Sequence, residues 1–180
     1  MQAAPHSNAK GYTVMQSMFV MALVATMASI GLPGFQRLLD WQRATTRMHL
    51  LTTHLALARS LAVAQRMPVS LCPSADGSRC RTDSDWSRGW ILFKDPGREG
   101  QPADASSIFK VEHYPAADGI DARATHGRPV VRFLPSGLSS GTNITISLCA
   151  NAQRLADVVV NNTGRARTVR HSAPISCQTR

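Results

Sequence analysis

Aromatic residues make up only 6% of this 180-residue chain, too few for an extended platform on which nucleobases stack. Lysine is nearly absent, so arginine supplies almost all of the positive charge. The four cysteines, Cys72, Cys80, Cys149 and Cys177, contain no closely spaced pair, which excludes zinc-ribbon and Cys-X-X-Cys redox chemistry. The six histidines, His6, His49, His54, His113, His126 and His171, show no metal-ligand spacing. There is no glycine-rich phosphate loop, no local grouping of serine, histidine and acid, and no internal repeat. These absences point away from an enzyme and imply no cofactor or metal. The most informative absence is charge, which is missing from all 26 residues between Lys10 and Arg37. An apolar run of about 20 residues is long enough to cross a bilayer as a helix. A secretory signal peptide would instead have a shorter apolar core with a small-residue cut site behind it.

What charge there is lies unevenly. Residues 37–71 carry five arginines against Asp40, and residues 76–121 carry six basic against nine acidic groups. Residues 122–180 carry eight arginines against Asp157 alone. Within a net charge of +9, that last third forms an electropositive region able to steer polyanions towards itself. Arginine also favours planar, bidentate contacts to phosphate. The length accommodates one domain and an additional helix.

Beyond Gly31, Pro33 and Gly34, which are expected to bend or locally melt the helix, apolar residues recur at Trp41, Ala44, Met48, Leu51, Leu55, Ala58 and Ala62. Steps of three and four predict a second helical stretch that buries one face, leaves Arg43, Arg47, Arg59 and Arg66 on or near its exposed sides, and ends at Pro68. Short strand-like segments follow at 69–72, 89–94, 107–113, 129–134, 143–149, 157–160 and 165–170. Residues 96–106 read as a flexible polar loop. Asn161-Asn162-Thr163-Gly164 is turn chemistry between two strand-like segments and predicts a hairpin. Of the three possible cysteine pairings, Cys72 with Cys80 and Cys149 with Cys177 each close a local loop, and both bridges imply an oxidising compartment.

Two sets of residues resemble a known family. Gly11-Tyr12-Thr13-Val14-Met15-Gln16 at the head of the apolar run is similar to the processing site of the type IV pilin and pseudopilin superfamily. Its GspH/FimT branch is resembled along most of the remaining chain. The matching residues are Ala58-Arg59-Ser60-Leu61-Ala62, Val69-Ser70-Leu71-Cys72-Pro73-Ser74 with Gly77 and Cys80, Trp86 with Gly89-Trp90-Ile91-Leu92-Phe93-Lys94-Asp95, and Gly164-Arg165-Ala166-Arg167. The resemblance implies an α+β, pilin-like fold in which a long N-terminal helix, membrane-spanning in its first half, packs on antiparallel β-sheets. It also implies a leader at 1–11 removed by prepilin peptidase after Gly11 and a methylated Tyr12. An assembly helix at 12–35, a packed helix at 36–67 and a β-rich domain at 68–180 would follow. The location would be the inner membrane, single-pass, with a periplasmic domain, and other pilin subunits would be partners. Where the family has glutamate this chain has Gln16, which hydrogen-bonds but cannot neutralise an amine in the membrane. Together with Pro33 it is expected to govern assembly, and it suits a scarce subunit better than the bulk of a fibre.

In FimT-like minor pilins a Gly-Arg-X-Arg motif is associated with DNA binding, and the resemblance carries that role to Gly164, Arg165 and Arg167. The spacing supports it independently, since residues two apart on a strand share a face about 6–7 Å from one another, close to the spacing of phosphates. Arg170 on the opposite face and Arg154 would broaden the field, with Arg180 adding charge. Such contacts hold DNA without reading bases. The alternative is that the two arginines merely solvate an edge strand and discourage edge pairing. The chain would then be a structural minor pilin, or a type II secretion pseudopilin that primes or caps a fibre without binding DNA. Trp86 and Trp90 are either stacking surfaces or core anchors, and the second reading has more weight.

Overall fold

The computed structural model describes residues 13–116 and 118–177, with the backbone alone at 30, 33, 173 and 174. The leader, Gly11, Tyr12 and Arg180 lie outside the described residues. One helix, α1, runs over Val14–Gln65. It starts at a capping box, in which Gln16 N–H donates to Thr13 Oγ1 at 3.3 Å and Thr13 N–H donates to Gln16 Oε1 at 3.1 Å, satisfying two N–H groups that the first turn leaves free.

The chain forms two compact units, which divide after Leu39. In the first unit, every described side chain from Val14 to Leu32 is exposed. Uncharged and apolar, this part of α1 is long enough to cross a membrane. The expected melting at Gly31, Pro33 and Gly34 does not occur, because α1 is assigned without a break across them. Proline removes one hydrogen bond, while propagation from long helical stretches on both sides keeps the backbone helical.

In the second unit, Ala44, Met48, Leu51, Leu55, Ala58 and Ala62 are the buried stripe of α1, on the spacing the sequence predicts. Trp41 departs from it at 42% exposed, since the core cluster begins one step later, at Ala44. Arg47 departs in the opposite sense. It is 2% exposed, donates from Nη1 to the carbonyls of Ser87 and Ile120 at 3.1 Å each, pairs with Asp118 and lies 3.8 Å over the Tyr114 ring. Burial lowers the Arg47 pKa and raises that of Tyr114, which keeps the phenol beneath the guanidinium neutral. The helix ends at Gln65, before Pro68, and Arg66 follows at φ 53°.

Two four-stranded antiparallel sheets follow. The first has the order β3-β2-β1-β5, from β1 (Val69–Pro73), β2 (Gly89–Lys94), β3 (Ile108–His113) and β5 (Val131–Phe133). The second has the order β4-β6-β7-β8, from β4 (Asp121–Ala124), β6 (Ile144–Ala150), β7 (Gln153–Val160) and β8 (Ala166–Ser176). Val69, Leu71, Trp90 and Leu92 of the first sheet and Ile144, Ile146, Leu148, Val158 and Val160 of the second join the helix stripe in one core. Trp86 and Trp90 are buried there as well, so neither offers a surface for stacking.

The opposite face of the first sheet has its own small core of Cys72, Cys80, Ile91 and Phe93, closed by the Cys72–Cys80 disulfide. The polar loop at 96–106 is largely exposed and is anchored through Gly100 and Gln101. Asp95 accepts from Ser70 Oγ and Arg132 Nε at 2.7 Å each and from Gly100 N–H at 3.2 Å. Gln101 exchanges two hydrogen bonds with the Cys80 backbone.

Candidate nucleic-acid interface

The turn joining β7 to β8 is held by Asn161. Its Oδ1 accepts from Arg165 N–H at 2.9 Å and from Thr163 Oγ1 at 2.8 Å, and its carbonyl accepts from Gly164 N–H at 2.9 Å. A second loop braces the turn, with Ser139 N–H donating to the Asn162 carbonyl at 3.0 Å. Gly164 has φ +74° and is buried, and a Cβ there would stand 2.1 Å from the Gly137 carbonyl oxygen. Only glycine meets both conditions.

Arg165 and Arg167 are both exposed. Arg165 lies one residue before β8 begins, so the strand spacing expected between the two starts at the edge of the turn. Arg167 pairs in register with Val159, and its neighbour Ala166 with the buried Val160, so Arg167 lies on the face turned away from the core. Arg170 takes the other face, registers with Ala156, and has Nη2 3.0 Å from Nε2 of His49 on α1. Arg154 is committed elsewhere. Its Nε donates to Asp157 Oδ1 at 2.6 Å, and the other carboxylate oxygen lies 2.8 Å from His171. The single acid of the last third is therefore matched by Arg154 and His171 and leaves the turn unopposed.

Arg59 of α1 is brought to the same place. Its Nε lies 3.3 Å from the position a Cβ would take on Gly137 and 3.4 Å from that on Gly164. No signal in the sequence gives this proximity, because packing of the helix on the second sheet creates it. Among the described residues, no hydrogen bond or ion pair engages the side chains of Arg59, Arg165 or Arg167, whereas Arg43, Arg47, Arg81, Arg132 and Arg154 each pair with an aspartate.

Outside the tip, a groove on the outer face of the second sheet encloses about 840 Å³ and mixes Asp83 and Asp121 with Arg123 and Arg154, so its charges largely cancel. No group of three or more metal-ligating side chains occurs among the described residues. The Cys149–Cys177 disulfide joins the end of β6 to the residue after β8.

The profile of the family described as Type II transport protein GspH matches residues 48–164. The chain belongs to that family. The GspH match includes Arg59 and stops at Gly164, so Arg165 and Arg167 lie beyond it. The fold is similar to that of the type IV minor pilin FimU of Pseudomonas aeruginosa, at 20% identity and a TM-score of 0.56, over 74% of this chain and 99% of FimU. It is also similar to the minor pseudopilin EpsH from the type 2 secretion system of Vibrio cholerae, at 14% identity and a TM-score of 0.50, over 72% of this chain and 98% of EpsH. No curated protein matches the sequence. The fold of this GspH-family chain is thus pilin-like, as those of FimU and EpsH are, and its N-terminal helix is long and apolar enough to cross a membrane.

Proposed function

We propose that the chain is a minor type IV pilin that enters a pilus through its N-terminal helix and binds extracellular DNA, without sequence preference, for uptake. Its site is the tip formed by Gly164, Arg165 and Arg167. The observation that carries the reading is an exposed arginine pair on a turn fixed by Gly164, in a region whose one acid is paired elsewhere. Processing by prepilin peptidase after Gly11, methylation of Tyr12 and single-pass insertion in the inner membrane, with residues beyond the helix in the periplasm, belong to the same proposal. Gln16 and Pro33 would act in assembly.

A second reading is a structural pseudopilin that primes or caps a fibre without binding DNA. The match to the family described as Type II transport protein GspH favours it. A gel shift with duplex DNA separates the two. The first reading expects a clear loss of the shifted band in the Arg165→Ala, Arg167→Ala double variant, and an unchanged band sets it aside.

A further inference from the structure

We propose that Arg59, on the helix, is a third phosphate contact of the tip. This rests on the DNA-binding reading above. Gly137 and Gly164 meet backbone to backbone, both at positive φ, and neither has a side chain to fill the space beside it. The Arg59 side chain occupies that space. Arg165 directly follows Gly164, and successive Cα atoms are about 3.8 Å apart, so Arg59 of the helix lies beside the turn that carries Arg165.

Excess positive charge around one turn is unfavourable in the free protein, and elsewhere this chain pairs Arg47, Arg81 and Arg132 each with an aspartate. At the tip it does not. An anion that bridges the three, such as consecutive phosphates of one strand, relieves that repulsion and releases the counterions condensed on the nucleic acid. The backbone that carries Arg59 is fixed by its helix and that of the hairpin pair by the Asn161 turn, so only the side chains must be ordered on binding. The contact involves phosphate alone and adds affinity without base preference.

The test is a salt titration of the full-length chain in detergent with a random-sequence duplex, comparing wild type, Arg59→Gln, Arg59→Lys and, as a charge control away from the tip, Arg79→Gln. Thermal unfolding of each is measured in parallel. The expected result is that R59Q lowers the slope of log K against log salt by about 0.7–0.9, that R59K restores it, and that R79Q leaves it unchanged. A wild-type slope in R59Q, while the Arg165/Arg167 double variant loses slope, overturns the role of Arg59 and leaves the DNA reading standing. A slope lost in R59Q together with a lowered melting temperature, and not restored by R59K, makes Arg59 a structural residue and likewise overturns the inference. Absence of binding by the wild type at low salt removes the DNA reading itself.

Discussion

Gly164 acts through the side chain it lacks. Alanine at φ +74° carries a left-handed penalty of about 1–2 kcal/mol, and its Cβ would also force the Gly137 carbonyl aside. Gly164→Ala is therefore expected to lower unfolding free energy by at least that amount, read by chemical denaturation. It should weaken DNA binding even though no charge is removed. His54 gives a second prediction. Trp90 Nε1–H donates to His54 Nδ1 at 2.9 Å, which requires that nitrogen to be unprotonated, and burial lowers the His54 pKa below 6.5. Between the folded pKa and 6.5 the unfolded chain binds more protons, so stability is complete above pH 6.5 and falls as pH drops below it. Denaturation midpoints at pH 5 should lie below those at pH 7.5, and His54→Gln, which keeps an acceptor for Trp90, should flatten that difference. Arg165 and Arg167 were legible in the sequence because a motif and a turn signal surround them. Arg47 and Arg59 were not, since helical spacing alone gives no indication of which arginine a loop will cover or which will meet a distant turn.

The elements divide in a similar way. The continuous apolar run of β2 and the alternation in β6 identify them as strands, and the helix stripe follows from steps of three and four. β4 escapes because Asp121-Ala122-Arg123-Ala124 buries one alanine alone and owes its pairing to β6. β7 begins at Gln153, earlier than its valines suggest, because Arg154 and Asp157 hold polar residues in the ladder. The Cys149–Cys177 bridge spans 28 residues around the β7–β8 hairpin and should stabilise the fold by about 3–4 kcal/mol in the chain-entropy model. The Cys149→Ser, Cys177→Ser double variant should lose about that much stability in denaturant titrations. Its DNA salt slope should be unchanged, because Asn161 and the Gly137 loop hold the turn without help from the disulfide.

Across the whole molecule, the sequence separates two tasks by composition. The uncharged N-terminal run is long and apolar enough to cross a membrane, and the last third carries eight arginines against one acid. The structure refines the second part, since much of that arginine charge is spent internally. Arg132 serves Asp95, Arg154 serves Asp157 and Arg128 donates to the carbonyls of Ser140 and Thr142. The net charge of +9 already counts those aspartates, and we place the usable field at the hairpin tip, where Arg165 and Arg167 are exposed and have no ion pair among the described residues. The most direct test of that claim is the salt dependence of binding by the full-length chain to two duplexes of unrelated sequence, starting near about 50 mM salt, with the Arg165→Ala, Arg167→Ala variant alongside. The account predicts equal affinity for both duplexes and a slope lowered by about 1.4–1.8 in the variant. An unchanged slope in the variant, or no binding by the wild type at the lowest salt, would contradict it.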